Sequence, residues 1–299
     1  MFTIPIILAI LLLALLGAGG FFLRLAFFPR MHSVVDTYRE EVKEGKLVPE
    51  VFSKLPQEEV HIRSPYGYDL YGLYFPQPGA RKTAIICHGI TWTLYGSVKY
   101  MDLFRKRGFN LLLYDHRGHG HSGGRGTFFG LYEKHDLRAV TDWALARLGE
   151  GGRVGVLGES LGAATALQNA ALDPRVSFYI ADCPFSSLEG ILRYHLRRDY
   201  HLPAFPLFHV AAWLCRLALH FSFDDICPLR DMERAVAPIL FIHGLEDDYV
   251  PTQMSRDLCA HKPGAKRLYL PHGGHAQAYW QNREEYDRVV GEFLAEIGL

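Results

Sequence analysis

At 299 residues, with 49% hydrophobic and 21% charged side chains, the chain is long and apolar enough to bury a large core, which excludes a disordered segment. Its 32 basic residues balance 32 acidic ones, so neither a nucleic-acid partner nor an acidic substrate is favoured by the overall field. Cys87, Cys183, Cys215, Cys227 and Cys259 are odd in number and lack C-x-x-C spacing, which excludes a disulfide framework and a zinc site and suits a reducing compartment.

In chain order, Met1 to Leu23 carries no charged side chain. As a helix it is about 34 Å long, enough for a hydrocarbon core of roughly 30 Å. We read residues 1–28 as a transmembrane anchor. The rival reading is a cleaved signal peptide, with Gly17-Ala18-Gly19-Gly20 as a conceivable cleavage site, but no basic side chain precedes the long apolar run. Arg24, Arg30, Arg39, Lys43 and Lys46 follow it, so the positive-inside rule predicts a single-pass protein of the cell membrane with its main domain in the cytoplasm. Residues 29–57 read as a juxtamembrane helical segment of mixed charge.

Residues 58–299 read as one folded domain. Glu58–Arg63 and Tyr68–Phe75 alternate in polarity around Pro65-Tyr66-Gly67 and predict an antiparallel hairpin. Strands follow at Thr83–Cys87, Phe109–Tyr114, Val154–Leu157, Val176–Ala181, Ile239–Ile242 and Arg267–Leu270. Between and after them, helical patterns cover Ser97–Lys106, Leu131–Leu148, Ala163–Leu172, Gln253–Ala260 and Arg283–Ile297. Such alternation predicts an α/β fold, a mostly parallel sheet with helices on both faces. More than fifty residues separate Ala181 from Ile239, too many for a bare loop. Ser187–Tyr200 and Phe208–Phe221 look helical and aromatic, so residues 184–229 are expected to form a helical cap over the carboxyl edge of the sheet, where open α/β folds bind ligands.

The chemistry is carried by Gly158-Glu159-Ser160-Leu161-Gly162, a G-x-S-x-G sequence between a strand and a helix, the context of a nucleophile elbow. A serine hydroxyl needs a base oriented by a carboxylate, and in sheets carrying such an elbow the acid and then the base follow in sequence. The strand ending at Ile242 runs into His243-Gly244-Leu245-Glu246-Asp247-Asp248-Tyr249-Val250-Pro251, and the strand ending at Leu270 runs into Pro271-His272-Gly273-Gly274-His275. Both partners therefore emerge at carboxyl ends of strands.

With Ile86-Cys87-His88-Gly89 and Asp115-His116-Arg117-Gly118-His119-Gly120-His121-Ser122-Gly123-Gly124 added to these motifs, the chain resembles the α/β-hydrolase superfamily, near the prolyl-oligopeptidase and serine-aminopeptidase-like branch and its membrane-anchored bacterial members. The resemblance covers about residues 58–299. It implies Ser160 as nucleophile, Asp247 as acid and His275 as base, with Glu246, Asp248 and Asp182 as other carboxylates to weigh and His272 as the other histidine. It also implies an oxyanion hole formed by the backbone amides of Leu161 and Ile90, although the chain has no H-G-G-G run. His116, His119 and His121 invite a metal reading but lack a fourth ligand, and the resemblance makes that loop structural, with Asp115 and Arg117 as braces. Neither a metal nor a cofactor is expected. Glu159 reads as a residue placed favourably at a helix N-terminus.

The expected activity is hydrolysis of a small or lipid-like carboxylic ester with an apolar acyl group. A serine peptidase or aminopeptidase is the alternative within the fold, and a non-catalytic membrane-tethered binding protein is the alternative outside it.

Overall fold

The computed structural model describes residues 3–299; Met1 and Phe2, the first residues of the expected anchor, lie outside them. Eight strands form one sheet: β1 (Glu58–Arg63), β2 (Asp69–Phe75), β3 (Lys82–Cys87), β4 (Asn110–Tyr114), β5 (Arg153–Glu159), β6 (Phe178–Asp182), β7 (Ile239–Ile242) and β8 (Lys266–Tyr269). Their spatial order is β1-β2-β4-β3-β5-β6-β7-β8. β1 pairs antiparallel with β2 and β2 with β4, while β3 to β8 are parallel neighbours. The pattern of side chains dictates this split. β4, β6 and β7 are buried at every position, as strands covered on both faces must be, whereas β1 alternates between buried and exposed residues at the edge.

The helices, in chain order, are α1 (Thr3–Phe27), α2 (Val34–Lys43), α3 (Pro49–Phe52), α4 (Met101–Arg105), α5 (Glu133–Leu148), α6 (Leu161–Ala170), α7 (Leu188–Tyr200), α8 (Leu207–Ala218), α9 (Pro228–Asp231), α10 (Gln253–His261), α11 (Ala278–Gln281) and α12 (Arg283–Glu296). Successive strand residues point to opposite faces and build two cores. Ile86, Leu113 and Leu157 meet Phe104 and Phe293 on one face, while Ile85, Leu112 and Val156 meet Val140 and Leu167 on the other.

Three expectations need adjusting. The helix predicted over Ser97–Lys106 is a 3-10 segment, Leu94–Tyr100, continued by the short α4. Asp115 Oδ1 accepts the Leu94 amide at 2.7 Å and Trp92 closes on Gly96 so tightly that a methyl there would lie 2.2 Å from its ring, which winds the segment more tightly than its periodicity implies. The strand predicted from Val176 starts at Phe178, and the elbow strand extends past Leu157 to Glu159.

α7, α8 and α9 form the insertion between β6 and β7. α1 is long and apolar enough to cross a membrane, and is exposed as far as Ala14. From Leu15 onward it packs on the insertion. A methyl at Gly19 would lie 3.1 Å from both Val210 and Leu214, so the two helix backbones approach closely there. Phe27 is fully buried among Phe128, Phe129, Phe221 and Phe223. The first helix and the insertion thus share a third apolar core.

Candidate active site

β3 lies between β4 and β5, so the chain winds away from it in opposite directions, and a crevice opens at the carboxyl ends of these strands. The loop after β3 carries Ile90, the turn after β5 carries Ser160, and the loops after β7 and β8 carry Asp247 and His275.

The Ser160 backbone is held at φ +52°, a region that non-glycine residues enter only at a cost. Surrounding bonds hold it there: its amide donates to the Asp182 carbonyl at 2.8 Å, and its own carbonyl accepts from the Ala164 amide at 3.0 Å. The flanking glycines have no alternative. A methyl at Gly158 would sit 2.2 Å from the Gly162 carbonyl oxygen, and one at Gly162 would sit 2.2 Å from that of Cys87.

Ser160 Oγ lies 2.9 Å from His275 Nε2, and His275 Nδ1 lies 2.7 Å from Asp247 Oδ2. A carboxylate only accepts, so Nδ1 carries the hydrogen and Nε2 is free to take the serine proton. Burial opposes ionisation of Asp247. Hydrogen bonds from His243 and His275 and from the Val250 amide outweigh it and hold the carboxyl well below the usual carboxylate range. His243, to which the sequence assigned no role, places Nε2 3.0 Å from Asp247 Oδ2 and 2.9 Å from the Val250 carbonyl oxygen, and its Nδ1 faces Ser255 Oγ. It therefore helps to fix the same carboxylate oxygen that His275 uses.

The other candidates stand elsewhere. Exposed Asp248 pairs with Arg198, and Glu246 pairs with the exposed His272 at 2.7 Å. Asp182 is buried beneath the elbow, where Tyr286 donates to it at 3.0 Å and the Tyr100 hydroxyl lies 3.1 Å away. Burial and the neighbouring Glu159 push its carboxyl up to about 6. Glu159 is more than a helix-end charge. Lys99 Nζ pairs with it at 2.5 Å and Tyr100 donates to it at 2.6 Å, while Lys99 also reaches the Ala276 carbonyl, next to His275. This network ties the elbow to the histidine loop. Its members lie about sixty to 180 positions apart in the chain, so no spacing in the sequence could have shown it.

Leu161 occupies the first turn of α6, where an amide has no carbonyl of its own helix to bond, and Ile90 and Leu161 line the same cavity as Ser160. Around Ile90 the loops are braced by buried histidines. His88 places Nδ1 2.7 Å from the Gly89 carbonyl and accepts the His116 amide on Nε2; His119 places Nδ1 2.8 Å from the Arg117 carbonyl and accepts the Thr91 amide on Nε2. With both ring nitrogens of each engaged by backbone, His88 and His119 are not free to ligate a metal; His121 hydrogen-bonds Asp115 through its backbone. Cys183, Asp247 and His275 offer three atoms within 4.8 Å of one another. That set suits a metal poorly, because burial holds the Cys183 thiol well above its ordinary range and the other two groups already bond each other.

Burial pushes His119 down to about 4, so it folds uncharged. Its unfolded form takes up a proton near pH 6.5, and the native state resists protonation until about pH 4, so the stability its neutrality supports drains away as pH falls through that window. His119→Gln keeps a donor and an acceptor but cannot titrate. Between pH 7.5 and 4.5 the variant is expected to lose roughly 2–3 kcal/mol less stability than the wild type. Thermal unfolding of both proteins at the two pH values checks this, and parallel losses would refute it.

The cavity beside Ser160 measures about 310 Å³ and is mostly apolar, with Phe129, Phe185, Ile191, Leu196 and Phe208 among its walls. The Tyr249 ring lies 4.9 Å from that of His275 at a tilt of 49°, and the His195 ring lies 4.4 Å from Tyr249, two polar side chains that the sequence did not single out.

Comparison with known proteins bears on the fold and the family. Residues 83–199 match the family described as alpha/beta hydrolase fold. The chain is 38% identical over 287 residues to YqkD of Bacillus subtilis, described as uncharacterized, covering 95% of this chain and 94% of that protein. It is 30% identical over 257 residues to Rv2307c of Mycobacterium tuberculosis, also described as uncharacterized, covering 84% of each. Among solved structures, the esterase Pf2001 of Pyrococcus furiosus superposes with a TM-score of 0.69 at 25% identity, over 84% of this chain and 94% of that one.

Proposed function

The chain belongs to the α/β-hydrolase superfamily, and from that premise we propose that it is a serine hydrolase of carboxylic esters with apolar acyl groups, held to a membrane by α1 with the hydrolase domain on the cytoplasmic side. The observation that carries the reading is the continuous relay from Ser160 Oγ through His275 to Asp247, at 2.9 and 2.7 Å, on a strained elbow.

Ser160 Oγ bonds to the ester carbonyl carbon while its proton passes to His275 Nε2. The oxyanion is held by the Ile90 and Leu161 amides. As the tetrahedral intermediate collapses, the carbon–oxygen bond to the alcohol breaks and His275 returns the proton to that alcohol. Water then gives a proton to His275 and adds to the acyl-enzyme, and the acid leaves as Ser160 regains its hydrogen. The tool for neutral acyl groups is the apolar wall; among the described residues the lining offers no free carboxylate for the substrate amine that an aminopeptidase would bind. Asp199 is the acidic residue there, and it is engaged by His195 at 2.9 Å and Arg198 at 3.5 Å.

A fluorophosphonate probe applied to the purified full chain tests the proposal. Wild type should label and Ser160→Ala should not; wild type that fails to label would sink the enzyme reading. Esters of graded acyl length set against aminoacyl amides then separate esterase from peptidase.

A further inference from the structure

The cavity that reaches Ser160 is walled in part by the membrane-type helix itself. Phe22, Leu23, Leu25 and Ala26 of α1 line it together with Ser160 and Leu161. The exposed lining residues mark the mouth: Leu25 on α1, Asp199 and Tyr200 at the end of α7, and Tyr249 in the loop after β7. Phe22 and Tyr200 pack edge to face at 4.8 Å across that junction. The rim therefore runs from the loop after β7 along α7 to α1, and one side of the opening lies between α1 and α7 on the flank of the apolar helix.

Depth follows from length. A hydrocarbon core of roughly 30 Å takes up about twenty helical residues, so the uncharged run that ends at Leu23, just before Arg24, is long enough to fill it. Leu25 and the mouth then sit where acyl chains meet headgroups, between Arg24 and Arg30. α8, packed against Gly19 of α1, lies at the depth of the second half of the span. Its outward side chains fit that placement: Trp213 is 54% and Leu217 55% exposed, and Phe205 in the loop before it is 73% exposed. Apolar groups of this kind at the end of an apolar span match a bilayer interface and would be costly in water. A cavity of about 310 Å³ is at the small end of ligand pockets, room for one chain rather than two.

We propose that this cavity is an acyl-chain site open to the bilayer, and that the substrate is a long-chain lipid ester whose chain enters sideways between α1 and α7. The inference rests on the ester-hydrolase reading of Ser160 and on α1 spanning a membrane. α1 is thus part of the specificity site as well as a tether.

The test uses the full chain in phosphatidylcholine vesicles, with p-nitrophenyl butyrate and p-nitrophenyl palmitate as probes. Ala26→Trp fills the cavity from α1 and is expected to lower the palmitate-to-butyrate ratio of kcat/KM by about tenfold or more. Leu25→Lys changes only an exposed rim position, so it spares the packing, and is expected to lower the same ratio by about threefold or more. Leu8→Trp, on the exposed half of α1 away from the cavity, should leave the ratio unchanged. Raising vesicle lipid at constant total palmitate ester should slow wild-type hydrolysis as the ester is diluted in the bilayer. Ratios for both rim and cavity variants within about twofold of wild type, with Ser160 still labelled by fluorophosphonate, would overturn the acyl-chain site. A rate indifferent to added vesicle lipid would overturn entry from the bilayer. Wild type without labelling would instead overturn the hydrolase reading beneath both.

Discussion

Ser160→Ala and His275→Ala are each expected to lower kcat on a short ester by about 10⁵–10⁶-fold, and the double variant to lower it no further. The two side chains act as one device. Without the imidazole 2.9 Å away, the hydroxyl stays protonated; without the hydroxyl, the imidazole has no proton to accept. Asp247→Asn should cost less, about 10⁴-fold, because the amide keeps the shape while no longer requiring the hydrogen on His275 Nδ1. Steady-state kinetics of the four proteins decides the matter. Losses that multiply in the double variant would show that Ser160 and His275 do not share a step.

The second large effect concerns folding. Gly162→Ala is expected to cost more than about 5 kcal/mol or to prevent accumulation of folded protein. The added methyl would meet the Cys87 carbonyl oxygen at 2.2 Å and that of His88 at 2.8 Å. Both obstacles are backbone at the end of a central strand, so no side chain can rotate away. The comparison is Gly20→Ala, where the methyl meets nothing within 4 Å in the middle of α1 and should stabilise by about 0.5–1 kcal/mol. Thermal unfolding of each full-length variant measures the difference. A Gly162→Ala protein that melts with the wild type would refute the packing argument.

Much of this architecture was legible in the chain because buried parallel strands are written as unbroken apolar runs, such as Leu111-Leu112-Leu113 and Ile239-Leu240-Phe241-Ile242. The elbow could be read because its glycines are steric requirements rather than preferences. Choosing Asp247 over Asp248 needed the family resemblance, since spacing alone does not say which of two adjacent carboxylates turns inward. In the structure the first is buried against two histidines and the second pairs with Arg198 at the surface. The Lys99–Glu159–Tyr100 network was not legible, because it joins a 3-10 segment to the end of β5 some sixty positions away, and the two charges look solvated when read singly. Hydropathy also could not divide α1. Its exposed half and its cavity-lining half are both mostly apolar, and it is the packing of α8 and its neighbours on the second that distinguishes them.

The burial of Phe27 has a consequence for how the protein comes to be made. Its ring leaves the ribosome about 100 and 200 residues before its partners Phe128 and Phe221. For most of synthesis this helix has no protein surface to cover it, and closing so long a loop is slow. A nascent chain in that position needs another shelter. Insertion of the helix before the catalytic domain exists would provide one, and the domain would then assemble against a helix already in place. Chain order and membrane biogenesis would in this way set the order of folding.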